Sequence, residues 1–156
     1  MSARGRWLAV AAVVVAVGLV AGVLWLRGSD DDPFAAYCSE VESRREQVGA
    51  ALAAGPELGL IRALPSFEAL AQRSPDDIRA DWRLVVARIA DLEKALSAAG
   101  VDAATYDRDH PPASVSETQR QAIDTAAVRL GSRETAAALA RVQQQARDVC
   151  KTPLSL

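Results

Sequence analysis

The spacing of apolar positions changes at residue 27, and the change divides the chain into a membrane-length run and a helical domain. From Trp7 to Leu26 the segment WLAVAAVVVAVGLVAGVLWL carries no charge. Twenty residues at about 1.5 Å each reach roughly 30 Å, the thickness of a bilayer hydrocarbon core. One transmembrane helix is expected there. Beyond residue 33 apolar residues recur every three or four positions, the period of amphipathic helices packing one stripe inward.

The ends of the apolar run orient it. Trp7 and Trp25 stand 18 residues apart, about 27 Å along a helix, which suits an indole at each membrane interface. Arg4 and Arg6 precede the run, whereas Arg27 is followed at once by Asp30, Asp31 and Asp32. The positive-inside bias then makes residues 1–6 cytoplasmic, 7–26 the span, 27–33 a juxtamembrane linker and the remainder extracytoplasmic. Secretion after signal cleavage is the alternative, with Val20 and Gly22 at the recognised positions before the cut. The apolar core exceeds the roughly 7–15 residues usual for a signal, and Val23, Leu24, Trp25 and Leu26 would follow the cut, so retention is preferred. Leu19, Val20 and Ala21 begin like a lipoprotein box, but Gly22 stands where the lipid-bearing cysteine is required. Within the span, Gly18 and Gly22 form a small-xxx-small pair that can pack two such helices into a homodimer, although an Ala, Val and Gly rich composition produces the same spacing.

The extracytoplasmic part reads as helices throughout. The first is expected from Pro33 to about Ala54, with Phe34, Tyr37, Cys38, Val41, Val48 and Leu52 facing inward. Arg44 and Arg45 interrupt that stripe and either snorkel past its edge or pair with Glu40 and Glu42. A short helix is expected over Ser66–Gln72, started by Pro65, with Leu64, Phe67 and Leu70 to bury. Ser74 reads as an N-cap, followed by Pro75 at the first helical position and by Asp76 and Asp77 at the positive helix end. Ile78, Trp82, Val85, Ile89, Leu92, Leu96 and Ala99 then step by four and three up to Gly100, forming the organising stripe of the core. Arg79, Asp81, Arg83, Arg88, Asp91 and Lys94 fall on the remaining surface.

Towards the C-terminus, Ser116 and Gln119 form a capping box for a helix holding Ile123, Ala126 and Leu130, and Gly131 with Ser132 ends that helix and caps the next. The last helix, with Leu139, Val142, Ala146 and Val149, should run to about Cys150. The fold class expected is all-α: an irregular antiparallel bundle over residues 34–151, with three or four packed helices and a short one, and a tail at 152–156.

The only cysteines, Cys38 and Cys150, lie at the start of the first helix and the end of the last, both in the part placed outside the cytoplasm. A disulfide closing the bundle is the economical reading, since no C-x-x-C spacing favours a reactive pair. Tyr37-Cys38 with Val41, Ser74-Pro75-Asp76-Asp77-Ile78 leading to Trp82, and the terminal Asp148-Val149-Cys150 together resemble the small cysteine-paired helical proteins of the actinobacterial cell envelope. The resemblance implies an envelope location and a helical fold, and no reaction. Many of those proteins are lipoproteins, and the missing lipid-bearing cysteine departs from that pattern.

Candidate chemistry is sparse. His110 is the only histidine, which excludes the paired ligands of a di-iron bundle and of H-E-x-x-H zinc enzymes. S-x-x-K, G-x-S-x-G and phosphate-cradling glycine loops are missing as well. Asp107, Asp109 and His110 in TYDRDHPPAS are the one set of candidate metal donors, and they lack a fourth ligand; an exposed connection between helices has the same composition. Asp76 and Asp77 are accounted for by the helix dipole, and Asp30 to Asp32 by topology, with at most weak calcium binding by a linker that preforms no cage. Removing Arg4, Arg6 and Arg27 from 18 basic residues leaves 15 against 20 acidic ones, a formal charge near −5 beyond residue 27. With Trp82 facing the core, neither a basic patch nor a stacking platform for nucleic acid is expected. No cofactor is called for, and the chain reads as a non-enzymatic envelope module that binds a protein partner or a small apolar ligand. A metal or enzymatic site in the 101–117 loop is the alternative, and a passive spacer is a third reading.

Overall fold

A computed structural model describes residues 32–155. The span expected at 7–26, its Gly18/Gly22 pair and residues 1–6 lie outside the described residues. Among the described residues no helix is long and apolar enough to cross a membrane, and none forms a strand. Five helices follow in order: α1 (Ala35–Leu52), α2 (Pro56–Arg73), α3 (Arg79–Ala98), α4 (Glu117–Leu130) and α5 (Arg133–Val149).

In α1, Tyr37, Val41 and Val48 are buried as their spacing requires, and Cys38 and Leu52 pack at the edge of the core. Arg44 bonds Glu40 at 2.7 Å and Arg45 approaches Glu42 at 3.4 Å. The two arginines that break the apolar stripe are therefore held one turn from their own helix partners.

The short helix expected over Ser66–Gln72 is a full helix of 18 residues beginning at Pro56. Gly55 precedes it with φ of 105°, a conformation that favours glycine, and Pro56 and Glu57 supply the first-turn residues. Pro65 does not start the helix but lies inside it on an exposed face. An interior proline costs about 3 kcal/mol through the lost N–H and ring crowding. Burial returns roughly 1.5–3 kcal/mol for each large apolar side chain, and Leu64, Phe67 and Leu70 are all buried on one face. Packing therefore carries the helix through its own breaker.

Gly59 sets how closely α1 and α2 approach. A Cβ at Gly59 would sit 2.8 Å from the Leu52 Cα and 3.0 Å from the Ala51 and Leu52 carbonyl oxygens. These are backbone atoms with no freedom to swing away. Gly59→Ala is expected to destabilise the bundle by about 1–3 kcal/mol through overpacking, despite alanine's better helix propensity. Urea unfolding measures it, and a neutral or stabilising result would mean that the α1–α2 contact is not held by backbone approach.

The helix expected with Ser74 as its N-cap begins four residues later, with Ile78 in the N-cap position. The Ser74 hydroxyl is used backwards: it donates to the Ala71 carbonyl at 2.7 Å and so closes α2. Its own carbonyl accepts from the Arg79 guanidinium at 2.9 Å, and Arg79 also pairs with Asp76. Pro75 to Ile78 thus form a tight connection. From there the organising stripe is as expected, with Ile78, Trp82, Val85, Ile89, Leu92 and Leu96 all buried. At its end, Gly100 takes φ of 68°, Val101 N–H reaches the Leu96 carbonyl at 3.1 Å and Gly100 N–H the Ser97 carbonyl at 3.0 Å. This Schellman closure requires the left-handed residue that glycine supplies.

The capping box of α4 is present, with Gln119 N–H donating to Ser116 Oγ at 3.3 Å and Ser116 N–H to Gln119 Oε1 at 2.9 Å. The other end of the Gln119 side chain donates to the Ala98 carbonyl at 3.0 Å, fastening the start of α4 to the end of α3. Ser132 caps α5 by accepting from Thr135 N–H at 3.2 Å. The inner face of α5 is rotated slightly from the stripe read off the sequence. Thr135, Ala138, Val142 and Ala146 are buried, while Leu139 and Val149 are half-buried.

The helix α3 is the hub, packed against α2, α4 and α5, while α1 lies on α2 and touches α5 only slightly. The disulfide Cys38–Cys150, with Cα atoms 5.1 Å apart, joins α1 to the end of α5 across a sequence separation of 112. Beyond it Leu154, in the segment assigned to the tail, is buried in the core.

Three aromatic residues tie α1, α2 and α3 together. Trp82 Nε1 donates to Tyr37 Oη at 3.2 Å within the core, and the Phe67 and Trp82 rings lie 5.6 Å apart at 55°. Burial pushes the Tyr37 phenol above its ordinary pKa; the Trp82 bond works against this and the Asp77 carboxylate adds to it. A folded-state pKa raised above the unfolded value gives stability that is fully present below the ordinary value of 10.0 and is lost as pH rises through the raised one. Stability should thus fall on alkaline titration above about pH 10, and Tyr37→Phe should flatten that fall. Equal slopes for the two proteins above pH 10 would show that Tyr37 is not the controlling group.

Candidate functional site

The connection between α3 and α4 carries the candidate metal donors, so its folding decides what they can do. Asp102 opens it with a turn, its side chain accepting from Ala104 N–H at 2.7 Å and its carbonyl from Tyr106 N–H at 2.9 Å. Buried Val115 anchors the other end just before the α4 cap. Between these anchors, Asp107 accepts from Asp109 N–H at 2.8 Å and sits 3.0 Å from His110 Nδ1. The His110 contact, and then the Asp109 N–H, hold the Asp107 carboxyl below the usual carboxylate range.

The structure therefore joins Asp107 to His110 and uses Asp109 through its backbone. The His110 side chain is 84% exposed, and among the described residues no group of three or more His, Cys, Asp or Glu side chains could hold a metal ion. The Asp107–His110 pair bonds to itself in solvent rather than converging on a third atom. Asp76 likewise pairs with Arg79 at the start of α3.

A concave site lies beside this loop that the sequence did not single out. A cavity of about 280 Å³ opens where the α1–α2 turn, α2, α3, α4 and residues 103–108 meet. Ile61, Leu92, Leu96, Ile123 and Ala127 form its apolar wall, and half-buried Tyr106 closes one side. Glu57 and Arg108 are its charged residues. Arg108 is held to Asp124 by two contacts of 3.0 Å. Pockets of a few hundred Å³ with an apolar wall and few polar groups are the usual form of small-molecule sites. The wall arises because small residues, Ala54, Ala103, Ala104 and Ala127, occupy positions where larger side chains would fill the gap. Alanines in the 103–104 loop followed by Tyr106 were the available signal, legible only once the loop's neighbours are known.

No family model matches the chain, and neither a curated protein nor a solved structure is similar to it. Among the described residues, the class defined by fold and site is a five-helix, single-disulfide bundle with a small cavity of mixed lining between its helices.

Proposed function

We propose that this protein is a non-enzymatic ligand-binding module of the cell envelope, carried outside the membrane by the apolar segment 7–26. The observation that supports it is the cavity walled by Ile61, Leu92, Leu96 and Ile123, which leaves buried apolar surface reachable by a small molecule rather than covered by the chain's own side chains. Supporting a binding role over catalysis, the neighbouring loop's polar groups are taken up in separate pairs, Asp107 with His110 and Arg108 with Asp124 of α4, that point to no common reacting atom. The charge-free run between two tryptophans, with arginines before it and aspartates after it, supports the anchored topology.

Native mass spectrometry of the full-length protein released from its own membranes tests this reading. A small-molecule adduct is expected on the wild type and should be lost from Ala127→Phe, which fills the cavity with a ring while the disulfide and the α3 stripe stay intact. An adduct that persists unchanged in the variant, or none on either protein, overturns it.

A further inference from the structure

We propose that the cavity selects a small organic cation, an amine or quaternary ammonium group on an apolar body. This inference rests on the ligand-binding reading above and specifies the ligand's charge. Arg108 would attract an anion if it were free, but Asp124 engages it at 3.0 Å. The positive end of α2 meets the cavity at Gly55 to Leu58, yet the end of α1 meets it too, at Ala54, so the opposed partial charges of two helix ends fall at the same mouth. Neither α1 nor α3 carries a basic residue in its last turn to offset its negative end.

The Glu57 carboxylate is the charge left over. Among the described residues no ion pair or hydrogen bond engages its exposed side chain, and it borders the cavity. A helix end contributes about half a unit charge against the full charge of a carboxylate, so the mouth stays negative even if α2 alone is considered. Tyr106 adds an aromatic wall, which favours a cation over a neutral molecule of the same shape. An apolar wall, an aromatic side and one unengaged carboxylate together make a site for an alkylated amine.

Methyl NMR of the full-length protein in lipid nanodiscs, following Ile61, Leu92 and Ile123, distinguishes the cases with three probes of similar shape: benzyltrimethylammonium, benzyl alcohol and benzoate. The cation should shift these methyl signals at about tenfold lower concentration than the other two. Glu57→Gln should abolish that preference. Arg108→Gln, by freeing Asp124, should increase it, whereas an anion site would respond to the same change by weakening. If the alcohol or benzoate binds as well as the cation, the charge assignment is wrong while the cavity reading stands. If none of the three moves the methyl signals, the cavity reading falls with it.

Discussion

Replacing Cys38 and Cys150 together by serine should lower the unfolding free energy by about 4 kcal/mol. The bond spans 112 residues, so in the chain-entropy model breaking it restores to the unfolded ensemble nearly the full freedom of the domain. Little else joins the two ends it ties. The helices α1 and α5 make few contacts with each other, and the Thr152 hydroxyl reaches Glu42 only at 3.5 Å. Urea unfolding, followed by circular dichroism, reads the difference. Reductant should bring the wild type down to the double variant and leave the variant unchanged. A loss under about 1 kcal/mol would mean that helix packing, not chain entropy, holds these ends together.

Trp82→Ala should cost about 3–5 kcal/mol. Trp82 has no exposed surface and occupies the point where α1, α2 and α3 meet. Its removal takes away the ring against Phe67 and the donor to Tyr37 Oη in one step. Trp82→Phe separates the two contributions, since it keeps a ring beside Phe67 but leaves the buried phenol without its partner, at a cost of about 1–3 kcal/mol. In the Tyr37→Phe background that second cost should largely vanish, because both ends of the hydrogen bond are then apolar. Additive losses in this double-mutant cycle would show that the Trp82–Tyr37 bond contributes nothing beyond packing.

Much of the fold was legible because local rules and packing agree in several places. The α3 stripe from Ile78 to Leu96, the Gly100 closure, the Ser116–Gln119 capping box and the Gly131-Ser132 corner each depend on residues within one or two turns of each other. The two errors in helix boundaries share a cause. Pro65 and Ser74 carry strong start signals, and at both positions the tertiary environment used the residue differently: burial of Leu64, Phe67 and Leu70 runs a helix through the proline, and the serine hydroxyl turns back to Ala71. On α5 the periodicity was right but its phase was not, since the facing surface decides whether Ala138 or Leu139 is central.

The candidate site was far less legible. Asp107, Asp109 and His110 were visible as a cluster in sequence, but only the folded loop shows that two of them bond to each other and that the third turns its backbone inward. The cavity's one linear trace, the 103–104 alanines followed by Tyr106, could not be read without the fold, because the lining is assembled from five helical or loop segments and arises from side chains that are too small to meet. By itself, then, the sequence determined the all-helical class, the inner stripe of α3, most caps and the pairing of the only two cysteines, since these follow from hydrophobic period, local hydrogen bonding and residue count. Only the tertiary structure decided the length of α2, the start of α3, the phase of α5 and the existence of a cavity. Those depend on which surfaces distant segments present to one another, and no local pattern along the chain encodes that.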